Sequence, residues 1–233
     1  RAEPPRPAPA PAPGPSLGPV VIGTKTFAES YLLGEVFTAL LEDRGIEVDL
    51  RPGFGATQIV FDALLAGDLD LYPEYTGTGL LALLGETPEG SRTQVWRRVQ
   101  RRFDEEFNVS WGPALGFENT YAIAVRRSMA DSLGLTGLSD LARVAPQLVA
   151  GFSPDFMGRN DGLPGLRDAY GMRFRRVRPL LQAVKYRAIA AGEVDVIDAY
   201  STDGAIARYD LTILADDRRF CPPYEAAPLM SRR

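Results

Sequence analysis

Four tyrosines stand beside segments with a strand pattern, where they could meet around one ligand: Tyr75, Tyr121, Tyr200 and Tyr224. In open α/β sheets, ligands bind beyond the carboxyl ends of the strands. A single tyrosine at such a place is more often half-buried structure than a ligand contact. Four that converge would form an aromatic box, which holds a quaternary ammonium ion through the negative faces of the rings, because that ion has no N–H group to donate. We therefore expect a cation-binding cleft if the strands belong to two lobes that face each other.

The composition excludes several other kinds of chemistry. The chain of 233 residues has no histidine and a single cysteine, which rules out a Ser-His-Asp or Cys-His nucleophile, a histidine-rich metal site and an internal disulfide. The net charge of -4 argues against a nucleic-acid partner, since binding phosphates needs a basic surplus. We accordingly expect no catalytic residue, no metal, no cofactor and no nucleic acid. Two prolines follow the lone Cys221, which we interpret as an inert thiol.

The first 19 residues differ in composition from the rest of the chain. They hold eight of its 19 prolines, alternating with alanine, and they lack the apolar side chains needed for packing. The pattern predicts a semi-rigid, polyproline-type linker over residues 1–19, either a tether to an anchor or another domain, or a disordered tail. No apolar run in the sequence approaches the ~20 residues that span a bilayer.

Beyond the linker, strand and helix patterns alternate, which predicts an α/β fold with largely parallel sheets. Thr26 and Glu29 have the spacing of a capping box, and they predict the start of a helix whose apolar positions are Leu32, Val36 and Leu40. Further helices are predicted over residues 57–66 and 91–107. Strands are predicted over residues 20–22, 48–51, 68–72, 121–125, 148–152, 194–197 and 211–214.

Two segments of the chain resemble each other. Residues 63–79 align without gaps on residues 188–204, with six of the 17 positions identical, and each copy has a helix end, a glycine, a strand pattern and a tyrosine. Two copies this far apart indicate two similar α/β lobes rather than a tandem array. Asp70 and its counterpart Asp195 lie inside the strand patterns, so we interpret them as structural residues that bind neighbouring backbone.

Several motifs, spread from about Val20 to Pro228, carry a resemblance to a known family. They are Ile22-Gly-Thr-Lys-Thr-Phe27, Gly34-Glu35, Ala66-Gly-Asp-Leu-Asp-Leu-Tyr-Pro-Glu-Tyr-Thr-Gly-Thr78, Glu118-Asn-Thr-Tyr-Ala122, Asp161-Gly-Leu-Pro-Gly-Leu166, Asp198-Ala-Tyr-Ser-Thr-Asp203 and Pro222-Pro-Tyr-Glu-Ala-Ala-Pro228. These motifs resemble the substrate-binding proteins of osmoprotectant ABC transporters, the glycine betaine, carnitine and choline family.

The resemblance implies the two-lobed type II periplasmic-binding-protein fold, with a ligand cleft between the lobes. Lobe 1 would cover residues 20–120 and lobe 2 residues 121–222, and residues 223–233 would return to lobe 1. Family members add further helices to lobe 1 after this return, whereas nine residues follow Tyr224 here. If the sequence is a fragment, lobe 1 should expose apolar surface that those helices would cover.

The resemblance also implies a function. The protein would be a monomeric, non-enzymatic binding protein that captures a quaternary-ammonium osmolyte by lobe closure and delivers it to an ABC transporter permease subunit. Glycine betaine is the first expected ligand, and proline betaine, carnitine and choline are the others. The expected place is the periplasm or another extracytoplasmic location, with membrane attachment through an upstream anchor or a fused permease.

Individual site residues follow from the resemblance, position by position. The ammonium cage falls on the four tyrosines already singled out: Tyr75, Tyr121, Tyr200 and Tyr224. Lys25, Thr78 and Arg159 match residues that grip the ligand carboxylate in some members, although Lys25 could also be a solvated residue before a helix. A guanidinium fork suits a carboxylate, which favours a betaine. Asn119 matches a position that lines the head-group pocket through its backbone carbonyl. None of these groups titrates near neutrality, so we expect affinity to change little between moderately acidic and neutral pH.

Other interpretations of the chain remain open at this point. The same fold can serve as the ligand-sensing module of a receptor or regulator, and the residues that precede Arg1 in the full gene product would distinguish that role. An enzyme is the poorest alternative because the chain has no histidine. The arginines within residues 97–102 are followed by Glu105 and Glu106 at helical spacing, which indicates a solvated, salt-bridged face rather than a phosphate site.

Overall fold

The structure, a computed structural model, describes residues 18–86 and 90–232. These residues form two five-stranded sheets with helices packed on their faces. The two-lobed α/β architecture expected from the sequence is confirmed. The linker predicted over residues 1–19 lies almost wholly outside the described residues.

The strands and helices alternate along most of the chain. The strands are β1 (Val20–Lys25), β2 (Val48–Gly55), β3 (Leu71–Tyr75), β4 (Val109–Trp111), β5 (Tyr121–Arg126), β6 (Val149–Phe152), β7 (Arg176–Pro179), β8 (Val196–Tyr200), β9 (Leu211–Ile213) and β10 (Ala226–Ser231). The helices are α1 (Ala28–Glu42), α2 (Thr57–Ala66), α3 (Thr76–Thr78), α4 (Arg92–Phe107), α5 (Arg127–Leu133), α6 (Leu138–Val144), α7 (Pro154–Gly158), α8 (Leu163–Tyr170), α9 (Gln182–Ala190) and α10 (Ala205–Arg208). A π-helical turn, Gly79–Leu83, continues α3, and a 3-10 turn, Ala145–Gln147, follows α6.

The two sheets share one layout. The strand order is β2-β1-β3-β10-β4 in sheet 1 and β7-β6-β8-β5-β9 in sheet 2. In each sheet the first three strands are parallel and the fourth runs antiparallel to its neighbours, so the sheets are mixed and not largely parallel as the sequence pattern predicted. β10 joins sheet 1 after the chain has formed all of sheet 2, so the chain passes between the sheets twice. The residue limits of the two lobes stay a prediction.

Helix α1 forms where the sequence predicts it, but its start differs. Phe27 occupies the N-cap position without a side-chain hydrogen bond, so the Thr26–Glu29 capping box was wrong. Instead, Ser30 Oγ accepts a hydrogen bond from the backbone N–H of Lys25 at 2.8 Å. This bond fixes the entry of the helix and leaves the Glu29 carboxylate free for the cleft.

The buried face of α1 also differs from the prediction. Leu32, Val36 and Leu40 are 63%, 43% and 53% exposed, whereas Leu33 and Phe37 are each 8% exposed. Both sets have helical spacing, so periodicity alone could not choose between them. The choice is made by packing, and α1 therefore exposes an apolar stripe on the outside of lobe 1.

A glycine explains which face of α1 meets the sheet. Gly34 lies on the buried face, and a Cβ built there would come within 2.5 Å of Thr24 Cγ2 and 3.1 Å of Leu50 Cδ1. The helix can approach β1 and β2 this closely only along the side that carries Gly34. Leu33 and Phe37 share that side and pack with Ile22 into a small core.

The internal echo of the sequence corresponds to two equivalent units, α2–β3 and α9–β8. Each helix ends in a turn with a glycine of positive φ, Gly67 at 88° and Gly192 at 74°. Both strands begin two or three residues later than predicted, so Tyr75 and Tyr200 are the final strand residues rather than turn residues. The two tyrosines therefore occupy equivalent strand ends in the two sheets.

The aspartates of the echo have the structural role predicted for them. Asp70 Oδ2 accepts from the Val21 backbone N–H at 2.7 Å, and Asp195 Oδ2 accepts from the Val149 backbone N–H at 2.9 Å. Each carboxylate thus ties the entry of one strand to the parallel strand beside it.

Two arginines of helix α4 belong to a salt-bridged face, as the sequence predicted. Arg98 and Arg102 pair with Glu86 at 2.6 and 3.0 Å, and Arg102 also pairs with Glu106 at 2.7 Å. Ser91 caps the helix through a capping box with Gln94.

Two short segments connect the lobes and pair with each other. Glu118 and Glu225 form an isolated antiparallel bridge, and the Asn119 backbone N–H donates to the Tyr224 carbonyl at 3.0 Å. The cleft lies beside this pair of connections. No helix within residues 18–86 and 90–232 combines the length and apolarity needed to cross a membrane.

Candidate functional site

A pocket of about 180 Å³ lies between the two sheets, and residues from both lobes line it. All eight residues predicted from the sequence contribute to its wall: Lys25, Tyr75, Thr78, Asn119, Tyr121, Arg159, Tyr200 and Tyr224. The remaining lining residues include Phe27, Thr57, Ser153, Asp155 and Gln182. The structure therefore brings the predicted set together, and the ligand contacts assigned to it stay a prediction.

The strand ends position the four tyrosines. Tyr75 ends β3 and Tyr200 ends β8, while Tyr121 begins β5 directly opposite Tyr200 in the antiparallel ladder. The Tyr121 and Tyr200 rings stack with centroids 5.3 Å apart, and the Tyr224 ring stands nearly perpendicular to Tyr121 at 6.1 Å. The rings thus enclose the pocket from different directions, as a cage for a rounded cation requires.

Phe27 is an aromatic wall residue that the sequence analysis did not assign. Its ring centroid lies 4.6 Å from that of Tyr200 and 6.1 Å from that of Tyr75. Phe27 belongs to lobe 1 and Tyr200 to lobe 2, so this contact joins the lobes. Phe27 ends the first motif of the family resemblance, so the sequence did point to this position. Its residue type alone, however, does not distinguish a pocket residue from a core phenylalanine.

In the segment from Tyr72 to Thr78, polar side chains form hydrogen bonds that position the cage residue Tyr75. The buried Glu74 carboxylate accepts from Lys25 Nζ at 2.6 Å, from Tyr72 OH at 3.1 Å and from the Tyr75 backbone N–H at 2.8 Å. This network fixes Tyr75 at the strand end. Thr76 Oγ donates to the Pro223 carbonyl at 3.2 Å and accepts from the Glu225 N–H at 3.0 Å.

Gly77 in this segment permits a close approach by a cage residue. A Cβ at Gly77 would lie 2.7 Å from two atoms of the Tyr224 ring and 2.8 Å from the Pro223 carbonyl oxygen. Any larger residue would push Tyr224 out of its place. The glycine is therefore part of the cage geometry although it does not line the pocket.

Arg159 spans the cleft. Its Nη1 donates to Thr57 Oγ and its Nη2 to Thr78 Oγ, each at 3.1 Å, and both threonines belong to lobe 1. Its Nε donates to Asp161 Oδ1 at 2.7 Å, and Nη2 also contacts the second oxygen of Asp161. Asp155 lies 3.6 Å from Nη1. The guanidinium is thus held by partners from both lobes.

Lys25 is buried and paired, which excludes the alternative that it is a solvated residue. Only 7% of its side chain is exposed, and its Nζ lies 2.6 Å from Glu74 and 5.8 Å from the Tyr75 ring centroid. A carboxylate in the pocket could share this ammonium group with Glu74.

Three of the four cage tyrosines donate their hydroxyl to a carboxylate. Tyr75 OH donates to Glu29 Oε1 at 2.5 Å. Tyr121 OH donates to Asp155 Oδ2 at 3.1 Å, and Tyr224 OH donates to Asp161 Oδ2 at 2.6 Å. The sequence analysis assigned none of these three carboxylates to the site, since long-range partners of a tyrosine leave no local pattern.

Burial and these carboxylates keep the cage tyrosines protonated. Burial is the largest cause that raises the pKa of Tyr75, and Glu29 adds to it. Burial followed by Asp161 raises the pKa of Tyr224, and burial raises the pKa of Tyr121 against the opposing effect of Arg159. The rings therefore remain neutral donors, since a negative charge on a neighbouring carboxylate disfavours the phenolate.

Asn119 contributes a side chain to the site, and the role expected for its backbone carbonyl stays a prediction. Its Nδ2 donates to Glu29 Oε1 at 2.9 Å, so Glu29 holds both Asn119 and Tyr75. Its Oδ1 is buried and has no hydrogen-bond partner within the described part of the chain. This oxygen is therefore a buried acceptor on a residue that lines the pocket.

The remaining chemistry of the site is limited. Among residues 18–86 and 90–232, no group of three or more cysteine, aspartate or glutamate side chains could hold a metal ion. Burial raises the pKa of the Cys221 thiol, which fits an inert thiol. What the pocket offers is aromatic faces, one carboxylate, Asp155, and two paired cations, Lys25 and Arg159.

Comparison with known families and structures agrees with this geometry. The model of a family described as the substrate-binding domain of the ABC-type glycine betaine transport system matches residues 18–233. A solved structure described as a glycine betaine/carnitine/choline ABC transporter aligns with a TM-score of 0.69 at 33% identity, and the alignment covers 91% of this chain and 79% of that one.

Two relatives differ in how much of their length this chain matches. The carnitine transport binding protein OpuCC of Listeria monocytogenes is 35% identical over 211 residues, which cover 89% of this chain and 68% of that protein. The ergothioneine transport permease/ergothioneine binding protein EgtU of Helicobacter pylori is 34% identical over 209 residues, which cover 89% of this chain and 37% of that protein. The chain thus spans little more than a third of the Helicobacter protein.

Proposed function

This chain belongs to the family of substrate-binding domains of ABC-type glycine betaine transport systems, and from that premise we propose that it captures a quaternary-ammonium osmolyte between its lobes and delivers it to an ABC transporter permease. The observation that carries the proposal is the aromatic cage. Four tyrosine rings from both lobes and the connecting segment line a single pocket, and the hydroxyls of three of them are turned to carboxylates. An ion without N–H donors is held by such faces, each contributing ~0.5 to 2 kcal/mol.

The cations of the pocket wall support a betaine as the first ligand. Lys25, Thr78 and Arg159 line the same pocket as the tyrosine rings, and a zwitterion needs cations and hydroxyls for its carboxylate as well as rings for its methyl groups. Both cations are already paired, Lys25 with Glu74 and Arg159 with Asp161. A ligand carboxylate would therefore join an existing network.

Delivery to a permease and an extracytoplasmic location are proposed on the strength of the family alone. A binding domain of this family has its use where a transporter collects solute, and both lobes contribute to the pocket, so closure around the ligand would give the permease a distinct shape to recognise. We likewise propose that this chain acts as a monomer.

Calorimetric titration of the folded protein tests the proposal. The panel contains glycine betaine, proline betaine, carnitine and choline, with ergothioneine added because a relative carries that name. We expect saturable binding of at least one trimethylammonium ligand and none of glycine, which has the same carboxylate without the methyl groups. If no ligand of the panel binds to a protein that circular dichroism shows to be folded, the proposed function is refuted.

A further inference from the structure

The cage is surrounded by more negative than positive charge. Consider the charged side chains that line the pocket or bond to the side chain of one of the eight predicted site residues. Two of them are cations, Lys25 and Arg159, and four are carboxylates: Glu29, Glu74, Asp155 and Asp161. The formal charge of this set is -2.

The pairing of these groups shows where the surplus lies. Lys25 is paired with Glu74, and Arg159 forms its closest pair with Asp161. Asp155 shares Arg159 only at 3.6 Å, and Glu29 receives its two side-chain hydrogen bonds from neutral groups, Tyr75 and Asn119. The surplus is therefore assigned to the two carboxylates with the weakest pairing, Glu29 in lobe 1 and Asp155 in lobe 2, although the paired cations Lys25 and Arg159 lie 5.8 and 5.1 Å from the ring centroids of Tyr75 and Tyr121.

Each of these two carboxylates acts on a cage ring. A phenol that donates its hydroxyl to a carboxylate is polarised by it, which increases the electron density of the ring and deepens the negative potential of its face. The charge behind the ring also attracts a cation in front of it directly, and water inside a closed cleft is too scarce to screen that attraction fully. Both effects change the affinity for a charged ligand, and neither depends on the shape of the ligand.

We infer that Glu29 and Asp155 are specificity-determining residues, which act through Tyr75 and Tyr121 to make the cage select for the positive charge of the ligand head rather than for its shape alone. The inference rests on the proposed function, because it concerns the same pocket. Glu29 does not line the pocket and acts as a positioning residue of the cage, whereas Asp155 is itself part of the pocket wall beside Tyr121.

The test compares two ligands of equal shape and different charge. Choline and 3,3-dimethylbutan-1-ol share a tail hydroxyl, and the second replaces the ammonium nitrogen by carbon. Ligand-observed NMR measures both affinities, and their ratio is the charge selectivity. Glu29→Gln keeps an oxygen that accepts from Tyr75 and removes only the charge. We expect this ratio to fall by about fivefold or more in the variant, with the affinity for the neutral alcohol nearly unchanged.

The controls separate an electrostatic from a structural role. Glu106→Gln removes one exposed charge on α4, away from the pocket wall, and should leave the ratio as in the parent. Asp155→Asn repeats the test through Tyr121 in the other lobe, so the inference stays testable if the Glu29 variant does not fold. Equal losses for the two ligands, or an unchanged ratio, would overturn the inference while the proposed function stands. If the parent binds neither ligand nor any betaine, both fall together.

Discussion

Tyr75 and Tyr200 contribute one ring to the cage from each sheet, because they end equivalent strands. Replacing either by alanine removes one ring face from a quaternary ammonium ion. We expect Tyr75→Ala or Tyr200→Ala to weaken betaine or choline binding about fivefold or more, in line with ~1 kcal/mol or more per ring contact. Calorimetry measures the loss.

Tyr31→Ala is the matched control, since Tyr31 is a partly exposed tyrosine of α1 outside the pocket. Its affinity should equal that of the parent. If the two cage variants also bind like the parent, the cleft has been assigned wrongly.

Arg159 combines a predicted ligand contact with a structural task. Arg159→Ala should weaken glycine betaine more than choline, because choline has no carboxylate to lose a partner. The same change leaves Asp161 buried without its cation, so we also expect a loss of about 3–5 kcal/mol in the free energy of unfolding. Titration with both ligands and urea denaturation measure the two effects, and equal affinity losses for the two ligands would contradict the carboxylate role.

The pH dependence of the protein follows from the cage tyrosines. Their pKa values are raised in the folded state, mainly by burial, above the ~10 of an unfolded chain. The stabilisation linked to these protons is fully present below about pH 10, and it is lost as pH rises beyond that, because only the unfolded chain releases them there.

Urea denaturation between pH 8 and 11.5 should therefore show a falling free energy of unfolding above about pH 10, with a shallower fall in Tyr75→Phe. Choline affinity should stay constant from about pH 6 to 9, since the cage remains neutral there. A parent protein whose stability is flat through pH 11 would contradict the proposed protonation state.

At the scale of single elements, helix α1 shows which features could be predicted from the sequence and which could not. The helix itself and the exact span of α2 were predictable from apolar spacing and glycine punctuation. The buried face of α1 was not, because two apolar stripes compete and the decision rests on Gly34 meeting Thr24 and Leu50 across the sheet. Contacts of this kind are fixed by packing, which a local pattern does not encode.

A pair of neighbouring substitutions tests the orientation of α1. Leu33→Ala should lower the free energy of unfolding by about 2–5 kcal/mol, because it opens a cavity in the small core beneath the helix. Leu32→Ala, one position away and 63% exposed, should change it by about 0.5 kcal/mol or less. Urea denaturation of both variants measures the difference. Comparable losses at the two positions would mean that the helix is turned differently.

At the scale of the whole molecule, the site was more predictable than the contacts that support it. Tyrosines at strand ends and the echo between lobes indicated a shared cleft, and the family motifs supplied Lys25, Thr78 and Arg159. Glu29, Asp155 and Asp161 escaped prediction because each acts on a residue far away in sequence. The Tyr75–Glu29 contact lies within lobe 1 and the Tyr121–Asp155 contact within lobe 2, so these partners are set by tertiary packing, which a local sequence pattern does not encode.

The contacts that join the lobes predict a change of shape on binding. Phe27 against Tyr200, and Arg159 against Thr57 and Thr78, form only when the lobes are together. We expect the radius of gyration in small-angle scattering to decrease when choline or betaine saturates the protein, and to change less in Tyr200→Ala. An unchanged radius at saturation would show that the lobes do not close on the ligand.

The place of β10 has a consequence for how the protein is made. This strand lies between β3 and the edge strand β4 of sheet 1, yet it follows every strand of sheet 2 along the chain. A chain that emerges amino end first can complete sheet 2 while sheet 1 still lacks an inner strand. Closing that gap requires a contact between distant residues, the kind that forms slowly. The lobe that is synthesised first is therefore the lobe that finishes folding last, and until then it presents two open strand edges to any folding helper or protease nearby.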